Sequence, residues 1–161
     1  MTVIMKFVLI DKIIAIESGK NIRTVKNVSL AEEYLADHFP TFPVLPGVLL
    51  LEGLIESASW IVREYENFAH SMVLLEHARN VKYKSFLAPG GRIEYFVEAK
   101  AIEENISTFK GKGVVDGDTI VEGRFGLRHF NLADNKPAMA KEDALVVQNM
   151  KNRFKLLNRS F

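Results

Sequence analysis

Two side chains of this sequence are well suited by type and setting to move protons: His38 and Glu52. Imidazole has an ordinary pKa near neutrality, so it serves as base or acid with little adjustment. His38 stands at the head of His38-Phe39-Pro40-Thr41-Phe42-Pro43-Val44-Leu45-Pro46-Gly47. Three prolines within seven residues forbid a regular helix or a central strand there. The segment is expected to be a fixed, irregular loop that holds the imidazole in place. Glu52 falls about one turn into the apolar run that follows. An unpartnered carboxylate buried there costs on the order of several kcal/mol, which stability alone does not reward. It is kept for chemistry, or it lies on a surface stripe or pairs with a cation; helix position alone leaves these readings open. Between the two, Pro46-Gly47 opens the helix. Free N–H groups at a helix start favour negative charge, and Gly47 admits a ligand close to the backbone. Such a place can polarise a carbonyl and stabilise an enolate.

These residues need elements to hold them. Phe7 to Glu17 is rich in Ile and Val and reads as a strand. Ser18-Gly19-Lys20-Asn21 turns the chain into a second strand, Ile22 to Val28. Ser29 with Glu32 fits a capping box opening a short helix over 30–36. After the proline loop, Val48 to Tyr65 reads as one helix, apolar on nearly every side of its first half and so buried. Strands follow at Met72 to Lys84, Arg92 to Ile102, Ser107 to Val115 and Ile120 to Phe130, with Asp116-Gly117-Asp118 as a hairpin turn. Residues 132–140 read as a loop and 141–157 as a helix. An apolar helix needs cover all round, which a curved antiparallel meander wrapped about it supplies. The fold class is α+β, with residues 1–131 as the main domain and 132–161 as a loop and helical extension packed on it.

Composition narrows the function classes. The 161 residues are 48% hydrophobic, and 21 basic against 20 acidic residues leave a net charge of +1. That suits one compact domain and gives no sign of a nucleic-acid partner. The absence of cysteine excludes disulfides, thiolate metal ligands and a cysteine nucleophile, and fits a reducing, cytoplasmic setting. The apolar run from Val44 to Val62 is long enough to span a bilayer, but Pro46, Glu52 and Glu56 make a buried helix the better reading. No membrane span is expected. His70, His77 and His129 show no metal-ligand spacing, so no metal site is expected. In the tail, Lys151, Arg153, Lys155 and Arg159 alternate with apolar residues; packing on the body is favoured over a membrane surface.

The ordered run from His38 to Glu52 closely resembles the signature of the 3-hydroxyacyl-[acyl-carrier-protein] dehydratases of the beta-hydroxyacyl class. The pattern is His-Phe-Pro, two residues, Pro, two residues, Pro-Gly, then Glu fourteen residues after the His. Phe7-Val8-Leu9-Ile10-Asp11-Lys12, Val25-Lys26-Asn27-Val28-Ser29 and Val81-Lys82-Tyr83-Lys84 are similar to further segments of that family, and the resemblance covers about residues 7 to 130. It implies a hot-dog fold and a homodimer, or a trimer of such dimers, with His38 and Glu52 of each site on different subunits. It implies that His38 removes the C2 proton of a 3-hydroxyacyl chain carried on the phosphopantetheine of acyl carrier protein. Glu52, directly or through water, helps the C3 hydroxyl leave, and the Gly47 N–H binds the thioester carbonyl. No metal or redox cofactor is implied. Phe39, Pro46, Val48 and Glu56 would neighbour the substrate. Lys82, Lys84 and Arg92 are either solvated strand faces or a dock for the acidic carrier.

The chain departs from the family pattern in places. Glu56 stands where Gln is common, four residues from Glu52 on one helix face; either it faces a polar spot at the dimer contact and merely replaces Gln, which is the favoured reading, or one of the two carboxyls stays protonated near neutral pH. Gly91 replaces the family's Asp in a Pro-Gly-Asp turn, and Phe86 stands at a usual proline. Two rival functions remain at this stage: a hot-dog thioesterase, and a non-catalytic acyl-carrier-binding or assembly protein.

Overall fold

The antiparallel hairpin expected near the start of the chain is present. The computed structural model describes residues 8–36, 38–39 and 41–160. Strands β1 (Lys12–Glu17) and β2 (Asn21–Asn27) pair antiparallel around Gly19, whose φ of 68° suits a residue without a Cβ. The first strand is shorter than its composition suggests. Residues 8–10 are not strand; Leu9 and Ile10 are buried in the core instead. Phe7 lies outside the described residues. The helix expected after Ser29 is a single 3-10 turn, Glu33–Leu35, without a capping box. The Ser29 hydroxyl accepts from the Ala31 N–H (3.1 Å), and Glu32 pairs with the buried Lys26 ammonium (2.8 Å). A local hydroxyl turn and an ion pair to β2 engage the two groups that the box would have joined.

The long helix α1 (Gly47–Tyr65) starts at the residue after Pro46, where a proline's missing N–H is harmless. Asn67 and Phe68, both at positive φ, end it, and the Phe68 N–H closes back on the Arg63 carbonyl. Four strands follow: β3 (Met72–Tyr83), β4 (Arg92–Ile102), β5 (Ile106–Val115) and β6 (Asp118–Phe130). The sheet order is β1-β2-β4-β5-β6-β3, antiparallel throughout. This corrects the simple meander: β3 goes to the far edge beside β6, and β4 returns to pair with β2. Helix α1, about 28 Å long at 1.5 Å per residue, carries the chain between those places. The hairpin at Asp116 and Gly117 (φ 49° and 84°) is the left-handed two-residue turn that the sequence predicts.

The sheet bends around the helix because its ladders are bulged, at Ile13/Ala15, Leu75/His77, Arg79/Lys82, Ala99/Ala101 and Gly113/Val114. Leu50, Leu54, Ala58 and Ile61 of α1 meet Tyr95, Phe109 and Phe125 of the sheet in one core. Gly53 is where the helix crosses Tyr95. A Cβ there would sit 2.2 Å from the ring, so no larger residue fits without moving it. Thr24 and Ser57, both fully buried, share a 2.8 Å hydroxyl hydrogen bond between sheet and helix. This is a six-stranded hot-dog sheet wrapped on one helix.

Two 3-10 turns (Leu132–Asp134 and Pro137–Met139) lead into α2 (Ala140–Leu157). Phe154 lies 5.8 Å from both Trp60 and Phe68, and Leu157 is buried in the main core, so the tail packs on the body. Asp143 clips it in place. Its carboxylate accepts from the Ser71 hydroxyl (2.5 Å) and from the Leu132 and Ala133 N–H groups (2.9 and 2.8 Å). Burial pushes its pKa up, but these three donors more than offset that and hold it below the usual aspartate value. A depressed pKa contributes stability above the ordinary value that is lost as pH falls through the folded one. Asp143→Asn is therefore expected to lower the thermal midpoint at pH 7 and to speed proteolysis between 132 and 140. Thermal melts across pH should show the gap to wild type narrowing at acid pH. Among the described residues no helix is long and apolar enough to cross a membrane.

Candidate active site

The irregular backbone expected before α1 is present, with Asp37 and Pro40 outside the described residues. His38 is half-buried, and its Nδ1 lies 2.9 Å from the Val44 carbonyl oxygen. A carbonyl can only accept, so Nδ1 donates, and in the neutral ring Nε2 is the nitrogen that keeps a lone pair. The acceptor is itself anchored: Val44 and Leu45 are buried, and the Leu45 N–H donates to the Leu87 carbonyl (2.7 Å). Phe39 holds φ at 60°, uncommon for a bulky residue, and its ring centroid is 4.4 Å from the imidazole. Phe42 meets Phe86 edge to face across 6.3 Å, and all three phenyl rings are largely exposed. Phe86, met in sequence as a missing proline, thus packs its ring against Phe42 of the proline loop.

At the helix start the Pro46 carbonyl accepts from the Leu49 and Leu50 N–H groups (2.9 and 3.3 Å). The N–H groups of Gly47 and Val48 come before these bonds and belong to the unpaired set at every helix N-terminus. Gly47 backs onto Tyr83, whose ring would lie 3.3 Å from an added Cβ. Tyr83 is a neighbour that sequence reasoning missed. It ends β3, and only the packing of that strand against the helix start brings it to Gly47. Burial raises its phenol pKa.

Val48, Glu52 and Glu56 form a row four residues apart on α1. Leu50, Gly53, Leu54, Ser57 and Ala58 take the sheet side, which turns Val48 and Glu52 toward solvent and leaves Glu56 at the margin of the core. Glu52 is consequently exposed on the single chain, which is the surface-stripe setting among the readings that helix position left open. Even so, the protein atoms around it raise its carboxyl above the ordinary value, and no charged partner contributes. The imidazole of His38 in the same chain is bonded to Val44 and does not pair with Glu52.

Glu56 is more enclosed. Burial pushes its carboxyl up to about 7; Arg153 from α2 holds it down, Glu52 raises it further, and Lys26 adds a smaller downward pull. The cause differs from the like-charge repulsion considered from the sequence: desolvation leads and Glu52 is secondary. The pKa is raised on folding, so the folded chain binds the proton more tightly. The resulting stability is full below the ordinary glutamate value and is lost as pH rises through about 7. Glu56→Gln keeps the neutral shape and removes that loss. Urea unfolding at pH 8 is expected to show the variant more stable by on the order of 2 kcal/mol, with no gain at pH 4.

The candidate docking residues are spread out and partly neutralised. Lys84 pairs with Glu122 (3.1 Å) and Arg92 with Glu94 (3.5 Å), which also binds Arg23. Lys82 is exposed near the end of β3 and lines a concavity of about 1280 Å³ on the sheet with Arg23, Phe96, Lys112 and Arg124. Neither His38 nor Glu52 lines it.

The family model of the FabA-like domain matches residues 4–124. The chain belongs to the FabA-like family. The match takes in the His38 loop, all of α1 and five of the six strands, and ends within β6. The 3-hydroxyacyl-[acyl-carrier-protein] dehydratase FabZ of Geobacillus thermodenitrificans is 33% identical over 132 residues, 82% of this chain and 88% of that protein. The FabZ of Rhizobium etli is 32% identical over 120 residues, 74% and 77% of the two chains. Among solved structures, the dehydratase heterocomplex ApeI:P from Xenorhabdus doucetiae aligns with a TM-score of 0.65 at 18% identity, covering 83% of this chain and 90% of that one. Zebra fish thioesterase superfamily member 2 aligns at 0.56 and 12% identity, covering 73% and 79%. These structural likenesses show a shared fold and nothing finer.

Proposed function

We propose that this FabA-like chain dehydrates 3-hydroxyacyl thioesters carried on acyl carrier protein to trans-2-enoyl thioesters, in fatty acid biosynthesis. The observation that carries this reading is the hydrogen bond that His38 Nδ1 makes to the Val44 carbonyl. That carbonyl accepts from the Nδ1–H, which in the neutral ring leaves Nε2 as a base, and the same loop runs into a helix start that can bind a carbonyl oxygen. His38 takes the C2 proton. The Gly47 N–H receives the thioester oxygen as charge moves onto it. Glu52, protonated at the moment of transfer, gives its proton to the C3 hydroxyl, which leaves as water. Proton in and proton out balance, and the step is redox-neutral, so the reading needs no cofactor beyond the carrier's phosphopantetheine. The raised Glu52 carboxyl suits an acid.

The site is read as shared between two copies, in a homodimer or a trimer of dimers. Two features support this. Glu52 and His38 do not pair within one chain, and β3 is an edge strand carrying exposed Leu74 and Leu75. Lys82, Lys84 and Arg92 are proposed to meet the acidic carrier, with Phe39, Pro46 and Val48 nearest the acyl chain.

The test is hydration of a 2-enoyl thioester in D2O. The expected product is the 3-hydroxyacyl thioester with one deuteron at C2. Free acid would point to a thioesterase, and recovered substrate to a non-catalytic carrier-binding protein; either contradicts the proposal.

A further inference from the structure

Far along α1 from Gly47, the fold gathers side chains that the dehydration chemistry does not use. Glu66 caps α1, His70 leads into β3, and His129 lies near the end of β6. One Glu66 carboxylate oxygen is 2.9 Å from His70 Nδ1, and the other is 2.6 Å from His129 Nδ1. One nitrogen of each histidine and a carboxylate oxygen all lie within 4.8 Å of one another. Linear spacing hides this cluster, because its members come from three separate elements.

Two further observations bear on what it holds. His129 is fully buried, and its Nδ1 meets the Glu66 oxygen, so this carboxylate holds both imidazoles. At these distances the carboxylate bridges the two rings through shared protons, and a bound metal would take the place of those protons. The opposite nitrogen, Nε2, is 2.9 Å from the buried Ser107 hydroxyl. That is the outer support which fixes ring orientation when the other nitrogen binds a metal. The rest is held as firmly. Arg63 donates to the His70 and Ser71 carbonyls (3.2 and 3.1 Å), and the His129 N–H donates to the Asn105 carbonyl (3.0 Å). Glu66 and His70 keep slight exposure, 11% and 17%, which leaves a way in and room for water as a fourth ligand.

We infer that Glu66, His70 and His129 form a site for a divalent transition metal of the zinc class. Two imidazoles and one carboxylate are a common zinc donor set, and the site needs only a small opening to reach metal–ligand lengths of about 2.0–2.2 Å. The metal joins the end of α1 to β3 and β6 and acts on stability, not on turnover.

The test uses the full chain, stripped with a chelator and titrated with Zn(II) against a chromophoric competitor. One Zn(II) per chain is expected in wild type and in His38→Ala, with a raised thermal midpoint on loading. His70→Ala and Glu66→Gln, both at partly open positions, are expected to weaken binding by more than about tenfold and to abolish the thermal shift. Co(II) should give visible ligand-field bands in wild type that His70→Ala removes. Wild-type affinity no higher than that of His70→Ala, or binding lost in His38→Ala, would overturn the inference.

Discussion

Replacing His38 with alanine is expected to lower dehydration by about 10²–10⁴-fold, the range for losing a general base, while the chain stays folded. The fold should tolerate it because His38 is half-buried and makes one side-chain hydrogen bond, to a carbonyl at the loop's end. The loop's other anchors, the Leu45–Leu87 backbone bond and the buried Val44 and Leu45, do not involve the imidazole. Activity and circular dichroism measured together check this: turnover falls and the spectrum holds. A loss confined to KM would mean that His38 only helps to bind the thioester.

Glu52→Gln is the second large effect, expected to cost turnover about 10²–10⁴-fold. The amide keeps the shape of a carboxylic acid but cannot give up a proton to the departing hydroxyl. Stability should hardly change, since Glu52 is exposed on the single chain and unpaired with the charged groups around it. The sharper consequence concerns where its partner lies. If His38 and Glu52 of one site belong to different chains, mixing the two inactive variants makes some dimers with one intact site. After subunit exchange, a return to about one quarter of wild-type activity is expected from random pairing of two chains. A site built within one chain would give no recovery.

Much of this architecture was legible in the sequence, for reasons that can be named. The proline block told where a helix could not form, and the apolar run after Gly47 told where one had to be buried. Asp116-Gly117 specified its turn through backbone chirality alone. What escaped was decided by partners distant in the chain. Pairing of β3 with β6, and not with β4, depends on where α1 delivers the chain, and no local propensity records that. The outward turn of Glu52 follows from which helix side the sheet claims, while hydropathy alone marks that helix as buried all round. Ser29 and Glu32 had the right spacing for a cap, but Lys26 on β2 offered Glu32 a stronger partner. Tyr83 against Gly47, and Glu66 with His70 and His129, are meetings made by tertiary packing, so spacing could not reveal them.

The central claim is that this chain eliminates water from a 3-hydroxyacyl thioester and leaves the thioester intact. The most direct measurement follows enoyl absorbance and free thiol together, with purified chain and 3-hydroxyacyl-acyl carrier protein of several chain lengths. The enoyl signal is expected to rise to the same equilibrium reached from the enoyl side, with no thiol released. Thiol release without an enoyl signal, or no turnover at any chain length, would contradict it.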